Sequence, residues 1–97
     1  MKANGSVVRN PFFTLLVGRV PNNQDPSRIG IIVGRRIGKA VTRNRLKRIF
    51  RELVRESQSG MAGGFHCIVY PKTMVLGAKY QKIGEIWKGT LSRVGLL

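Results

Sequence analysis

Acidic residues are scarce in this chain of 97 residues: Asp25, Glu52, Glu56 and Glu85 are all it has. Histidine and cysteine occur once each, as His66 and Cys67. One cysteine permits no internal disulfide and no multi-cysteine zinc site. A histidine-based triad would have to use His66, and a carboxylate pair would have to draw on four scattered acids. The chain is thus poorly equipped to be a nuclease, or any hydrolase, by itself, and no residue cluster implies a metal or cofactor on the protein. No apolar run approaches the ~18 residues of a membrane span, and Met1 opens no signal-peptide pattern. The glycine spacings match neither a phosphate-binding P-loop nor a dinucleotide fingerprint. These absences imply a reduced, cytoplasmic protein that stays off the membrane.

Positive charge is what the chain has in abundance. Eighteen Lys and Arg against four acids give a formal net charge of +14. Such a surplus repels itself unless a polyanion lies beside it. With 42% hydrophobic residues in so short a chain, one small domain spanning residues 1–97 is expected, a sheet covered by helices.

The hydrophobic pattern divides that domain. Residues 1–10 read as a lead-in. Residues 11–18 (PFFTLLVG) read as a strand, with Phe13, Leu15 and Val17 on one face and Phe12, Thr14 and Leu16 on the other. Residues 21–27 (PNNQDPS) are turn chemistry. A second strand is expected over 28–34 (RIGIIVG), and the polar loop suggests that it pairs antiparallel with the first. Leu46, Ile49, Phe50, Leu53 and Val54 recur at helical spacing over 40–57. A strand at 65–70 (FHCIVY) ends at Pro71, and a helix over 78–94 carries a stripe of Ile83, Ile86, Trp87, Leu91 and Val94. The fold class is α+β.

Half of the basic residues fall between positions 35 and 55: Arg35, Arg36, Lys39, Arg43, Arg45, Lys47, Arg48, Arg51 and Arg55. No acid occurs between Asp25 and Glu52. Arg43, Lys47 and Arg51 are successive i, i+4 neighbours, and like charges so placed cost a few tenths of a kcal/mol (about 0.2–0.5) per pair. A phosphate backbone accounts for that cost better than solvent does. Seven of the nine are arginine, which favours bidentate phosphate contacts and stacking over point-charge attraction.

The string RIGKAVTRNRLKRIFRE, residues 36–52, resembles the signature of the bacterial ribonuclease P protein subunit, and the flanking strands and last helix extend the likeness over nearly the whole chain. The resemblance implies a two-layer α/β sandwich, a small mixed sheet with helices packed on it and an unusual left-handed βαβ crossover. It implies a protein without catalytic residues of its own. The partner would be ribonuclease P RNA, which holds the Mg2+ ions and removes the 5′ leader of precursor tRNA, in a complex of one protein and one RNA. Arg35, Arg36, Lys39, Arg43, Asn44, Arg45, Lys47, Arg48 and Arg51 would face RNA. Asn44 either hydrogen-bonds a base or holds the first helical turn. The leader cleft would be formed by Phe12, Thr14, Leu16, Gly30, Ile32 and Gly34. Phe12 either stacks a base or packs against a helix. Gly30 and Gly34 serve close approach of RNA, a bulge or tight helix packing.

Two departures from the family pattern stand out. The chain begins just after the place of a family helix that lines the leader cleft, and Leu16 stands where a tyrosine is common. Outside the signature, His66 and Cys67 point to opposite faces of their strand and read as structural, Trp87 as core, and Tyr70 as ambiguous. The alternative reading is another RNA-binding module, a ribosomal protein or RNA chaperone. DNA reading is disfavoured, because no helix-turn-helix pairing precedes the basic helix.

Overall fold

The computed structural model describes residues 5–20 and 25–97. The start of the expected lead-in (1–4) and most of the expected turn (21–24) lie outside the described residues. The remainder of the lead-in is a strand, β1 (Gly5–Arg9), which the sequence reading missed. Asn10 makes the turn that follows it. Its Oδ1 accepts hydrogen bonds from the Phe12 and Phe13 amides at 2.8 and 3.0 Å, an Asx-type turn closed as well by the Asn10 amide on the Phe13 carbonyl at 3.0 Å. The chain then returns as β2 (Phe13–Arg19), with Arg9 opposite Thr14 and Val7 opposite Leu16. The strand thus starts at Phe13 rather than at Pro11.

The remaining elements are β3 (Arg28–Ile31), α1 (Ala40–Ser57), β4 (Phe65–Pro71) and α2 (Tyr80–Arg93), with single 3₁₀ turns at Arg35–Ile37, Gln58–Gly60 and Thr73–Gly77. The sheet order is β1-β2-β4-β3. This corrects the expected antiparallel pairing of β2 with β3. β4 lies between them, antiparallel to β2 and parallel to β3. The physical reason lies in β4 itself. Phe65, Cys67, Val69 and Pro71 are all buried, so the strand gains most from the sheet's centre. The β3–α1–β4 segment is the expected crossover between parallel neighbours. Ser27 secures its start, accepting from the Phe65 amide at 3.0 Å and donating to the Ala62 carbonyl. β3 is shorter than the expected 28–34, because Gly34 leads into the 3₁₀ turn.

Both helices cover one face of the sheet. Phe13, Leu15, Val17, Phe65, Cys67 and Val69 meet Leu46, Phe50 and Leu53 of α1 and Ile83, Trp87 and Leu91 of α2. Trp87, Phe13 and Phe50 form a triangle of edge-to-face contacts with centroids 5.4–5.8 Å apart. The buried indole N–H donates to Ser57 Oγ at 3.0 Å, and that hydroxyl donates to the Leu53 carbonyl at 2.9 Å. Ser57→Ala would leave the indole N–H buried without its partner. The expected loss is about 1–3 kcal/mol of unfolding free energy, to be read from urea denaturation against the parent chain.

Candidate nucleic-acid interface

The 18-residue helix α1 sets the geometry of the basic cluster. Leu46, Phe50 and Leu53 follow the helical repeat into the core, so the positions between them must look outward. Val41, Asn44, Arg45 and Arg48 line one shallow concavity on the outer face, and Arg51 is exposed beyond them. Lys47 is half-buried on the flank. Asn44 is exposed and does not cap the helix. Securing the first turn falls to Arg43, whose Nη1 donates to the Gly38 carbonyl at 2.6 Å. Gly38 has φ 154, a conformation that side chains rarely adopt, and it lets the chain turn from Arg35–Ile37 into the helix.

At that end Lys39 provides no side-chain cap, and the first turn carries no acid. The positive pole of the helix thus lies beside exposed Arg35, Arg36 and Lys39, an arrangement suited to a phosphate group. At the other end the character reverses. Arg55 is ion-paired with Glu52, and the Tyr80 hydroxyl donates to Glu56 Oε1 at 3.2 Å. The uncompensated positive face therefore runs from Arg35 to Arg51 and stops short of Arg55.

A second surface is the sheet face that the helices leave free. Among the described residues no helix covers it. The register places Val7, Leu16, Ile68 and Gly30 in one row across all four strands. Arg9, Thr14 and Tyr70 form the next row, and Gly18, His66 and Arg28 flank the other side. Val7, Leu16, Gly18, His66 and Ile68 border a cavity of about 310 Å³. Thr14, Leu16 and Gly30, expected in a cleft, do share this face. Ile32 lies just past β3, 46% exposed, with its amide bonded to the Val69 carbonyl at 3.0 Å. Phe12 precedes β2 and packs against the core, which favours its burial alternative. Gly30 and Gly34 both have room for a Cβ, with nothing closer than 3.9 Å at Gly30 and nothing within 4 Å at Gly34. Neither has positive φ. Neither a bulge nor tight helix packing explains these glycines.

A family model described as Ribonuclease P matches residues 1–95. The chain belongs to the ribonuclease P protein family. The protein component from Thermotoga petrophila is 41% identical over 83 residues, covering 86% of this chain and 68% of that one. The one from Pseudanabaena is 32% identical over 96 residues, covering 98% and 82%. The solved ribonuclease P protein of Thermotoga maritima superposes with a TM-score of 0.79 at 31% identity, over 92% of this chain and 83% of that one. The chain is accordingly a protein component of the tRNA-processing ribonuclease P holoenzyme, a ribonucleoprotein in which the RNA carries the catalysis.

Among the described residues, no three His, Cys, Asp or Glu gather where they could hold a metal ion. Burial pushes the Cys67 thiol up to about 11, so it stays protonated and unreactive at neutral pH. Cys67 is buried in the core, and His66 is exposed on the free face. His66, Ile68, Val7, Arg9 and Arg28 were missed as candidates for this face, and Tyr70, ambiguous in the sequence, lies on it with them. For the three on β4 the signal was available: alternation that buries Phe65, Cys67 and Val69 must turn their neighbours outward. No helix among the described residues is long and apolar enough to cross a membrane.

Proposed function

We propose that this ribonuclease P protein uses two separate surfaces for two RNAs. The outer face of α1, with Arg35, Arg36 and Lys39 before it, docks the ribonuclease P RNA. Asn44, Arg45, Lys47, Arg48 and Arg51 supply phosphate and base contacts, and Arg43 orients the approach through Gly38. The free sheet face takes the single-stranded 5′ leader of precursor tRNA. Its apolar row of Leu16, Ile68 and Val7, bordered by Arg9 and Arg28, suits unpaired bases with phosphates on either side. Tyr70 supplies an aromatic ring on the same face as Leu16, where the family pattern often has tyrosine. Glycine at positions 30 and 34 leaves space for a backbone to come close. The observation that carries this reading is the separation of the surfaces: helices on one side of the sheet, an open mixed apolar and basic face on the other.

In this reading Mg2+ belongs to the RNA, whose phosphate oxygens provide the hard ligands such an ion prefers. One protein joins one RNA, in the cytoplasm. The test is removal of the leader from a precursor tRNA at low magnesium with protein alone, a bacterial ribonuclease P RNA alone, and both. Cleavage is expected only with both. Cutting by the protein alone would overturn the division of labour.

A further inference from the structure

A groove beside the basic face is used by neither surface described above. It lies between α1 and the segment that leads into α2. Ile49, Val75, Leu76, Ala78 and Ile83 make its apolar floor, and the exposed Arg45, Arg48 and Tyr80 its rim, around a volume of about 300 Å³. Arg45 and Arg48 also line the outer concavity of α1, so the groove opens directly onto the proposed RNA-docking face.

We propose that this groove receives one unstacked nucleobase of the ribonuclease P RNA. The inference rests on the docking role assigned to α1. Its occupant follows from charge and shape together. A base offers an apolar face and a flat edge, and its flanking phosphates are anions. The groove offers an apolar floor with a guanidinium on its outer side, the complement of that pattern. Tyr80 is the stacking wall. It is 40% exposed, and its hydroxyl is held by Glu56, which fixes the ring at the first position of α2. Partial burial and the nearby Glu56 carboxylate push its ionisation up to about 12, so the ring meets a base in its neutral form. Duplex RNA, with every base paired, has nothing to insert. The groove would therefore distinguish a folded RNA with an unpaired nucleotide from a plain helix of equal charge.

The test measures binding of the intact protein to a bacterial ribonuclease P RNA and to a fully paired RNA duplex over a range of salt. Tyr80→Ala and Ala78→Leu, the second filling the groove from its floor, should each weaken binding to the ribonuclease P RNA by about tenfold. The salt slope should not change, because no charge is removed. Tyr80→Phe should stay within about twofold of the parent, since the stacking ring remains. Duplex binding should be unaffected in all three. Parental affinity in Tyr80→Ala, or an equal loss on duplex, would overturn the proposal, and Tyr80→Ala decides alone if Ala78→Leu does not fold. A parent protein that fails to bind the ribonuclease P RNA would instead remove the docking role of α1, and the groove's role with it.

Discussion

Trp87→Ala is expected to lower the unfolding free energy by about 3–5 kcal/mol, the range for truncating a large buried aromatic residue. The indole is fully buried and touches both of α2's partners in the core, the sheet through Phe13 and α1 through Phe50. Removing it leaves a cavity bounded by two rings whose edge-to-face contacts are lost together. It also strips Ser57 of its indole partner, at the C-terminal end of the helix that carries the basic face. Small domains commonly have only about 5–15 kcal/mol in total, and a net charge of +14 adds self-repulsion in the absence of RNA. Urea denaturation followed by circular dichroism should show an earlier midpoint with an unchanged slope. A loss below about 1 kcal/mol would mean that the aromatic triangle does not hold the layers together. Added RNA should recover part of the loss, because a ligand that binds only the folded state stabilises it by mass action.

The same physics explains which parts of the fold were readable beforehand. Helix α1 was expected at 40–57 and is observed there, because Leu46, Phe50 and Leu53 repeat at helical spacing and Gly60, Gly63 and Gly64 follow. α2 is two residues shorter at its start than expected, since Ala78 and Lys79 are extended behind the 3₁₀ turn at Thr73–Gly77. β1 was not readable. It has only Val7 and Val8 as strand formers and owes its form to pairing with β2, a contact that local pattern does not encode. Strand order escaped for a similar reason. Neighbours in sequence usually pair, but here the strand with the most buried positions, β4, arrives later and enters between β2 and β3. The missed His66 and the ambiguity of Tyr70 trace to that gap. Alternation along β4 divides its residues between two faces, yet only the placement of both helices on one side reveals that the other face is open. Arg55 was the opposite case. Its position beside Glu52, three residues earlier, was visible in the sequence, while counting charges grouped it with residues that face outward unpaired.

That distinction leads to the largest expected effect on binding. Arg45→Ala combined with Arg48→Ala should weaken the complex with ribonuclease P RNA by about 25- to 60-fold near 0.1 M salt, and lower the log–log salt slope by about 1.4–1.8. The reasoning is additive over phosphates. Each neutralised phosphate releases counterions worth about 0.7–0.9 of slope, and extrapolated from 1 M that is about five- to eightfold per contact at 0.1 M. Both guanidiniums are exposed on the outer stripe of α1, and neither has an acidic partner among the described residues, so their loss should leave the core intact. Arg55→Ala removes the same formal charge from the same helix but from the arginine that Glu52 already pairs. It should change the slope little, because Arg55 is held by Glu52 off the outer stripe and neutralises no phosphate. The contrast between the two variants separates geometry from composition. If Arg55→Ala costs as much per charge as the Arg45 and Arg48 substitutions, then total charge drives the association and the outer stripe is no docking face. If only the pair on the stripe reduces the slope, the RNA contacts end where the acids begin, at Glu52.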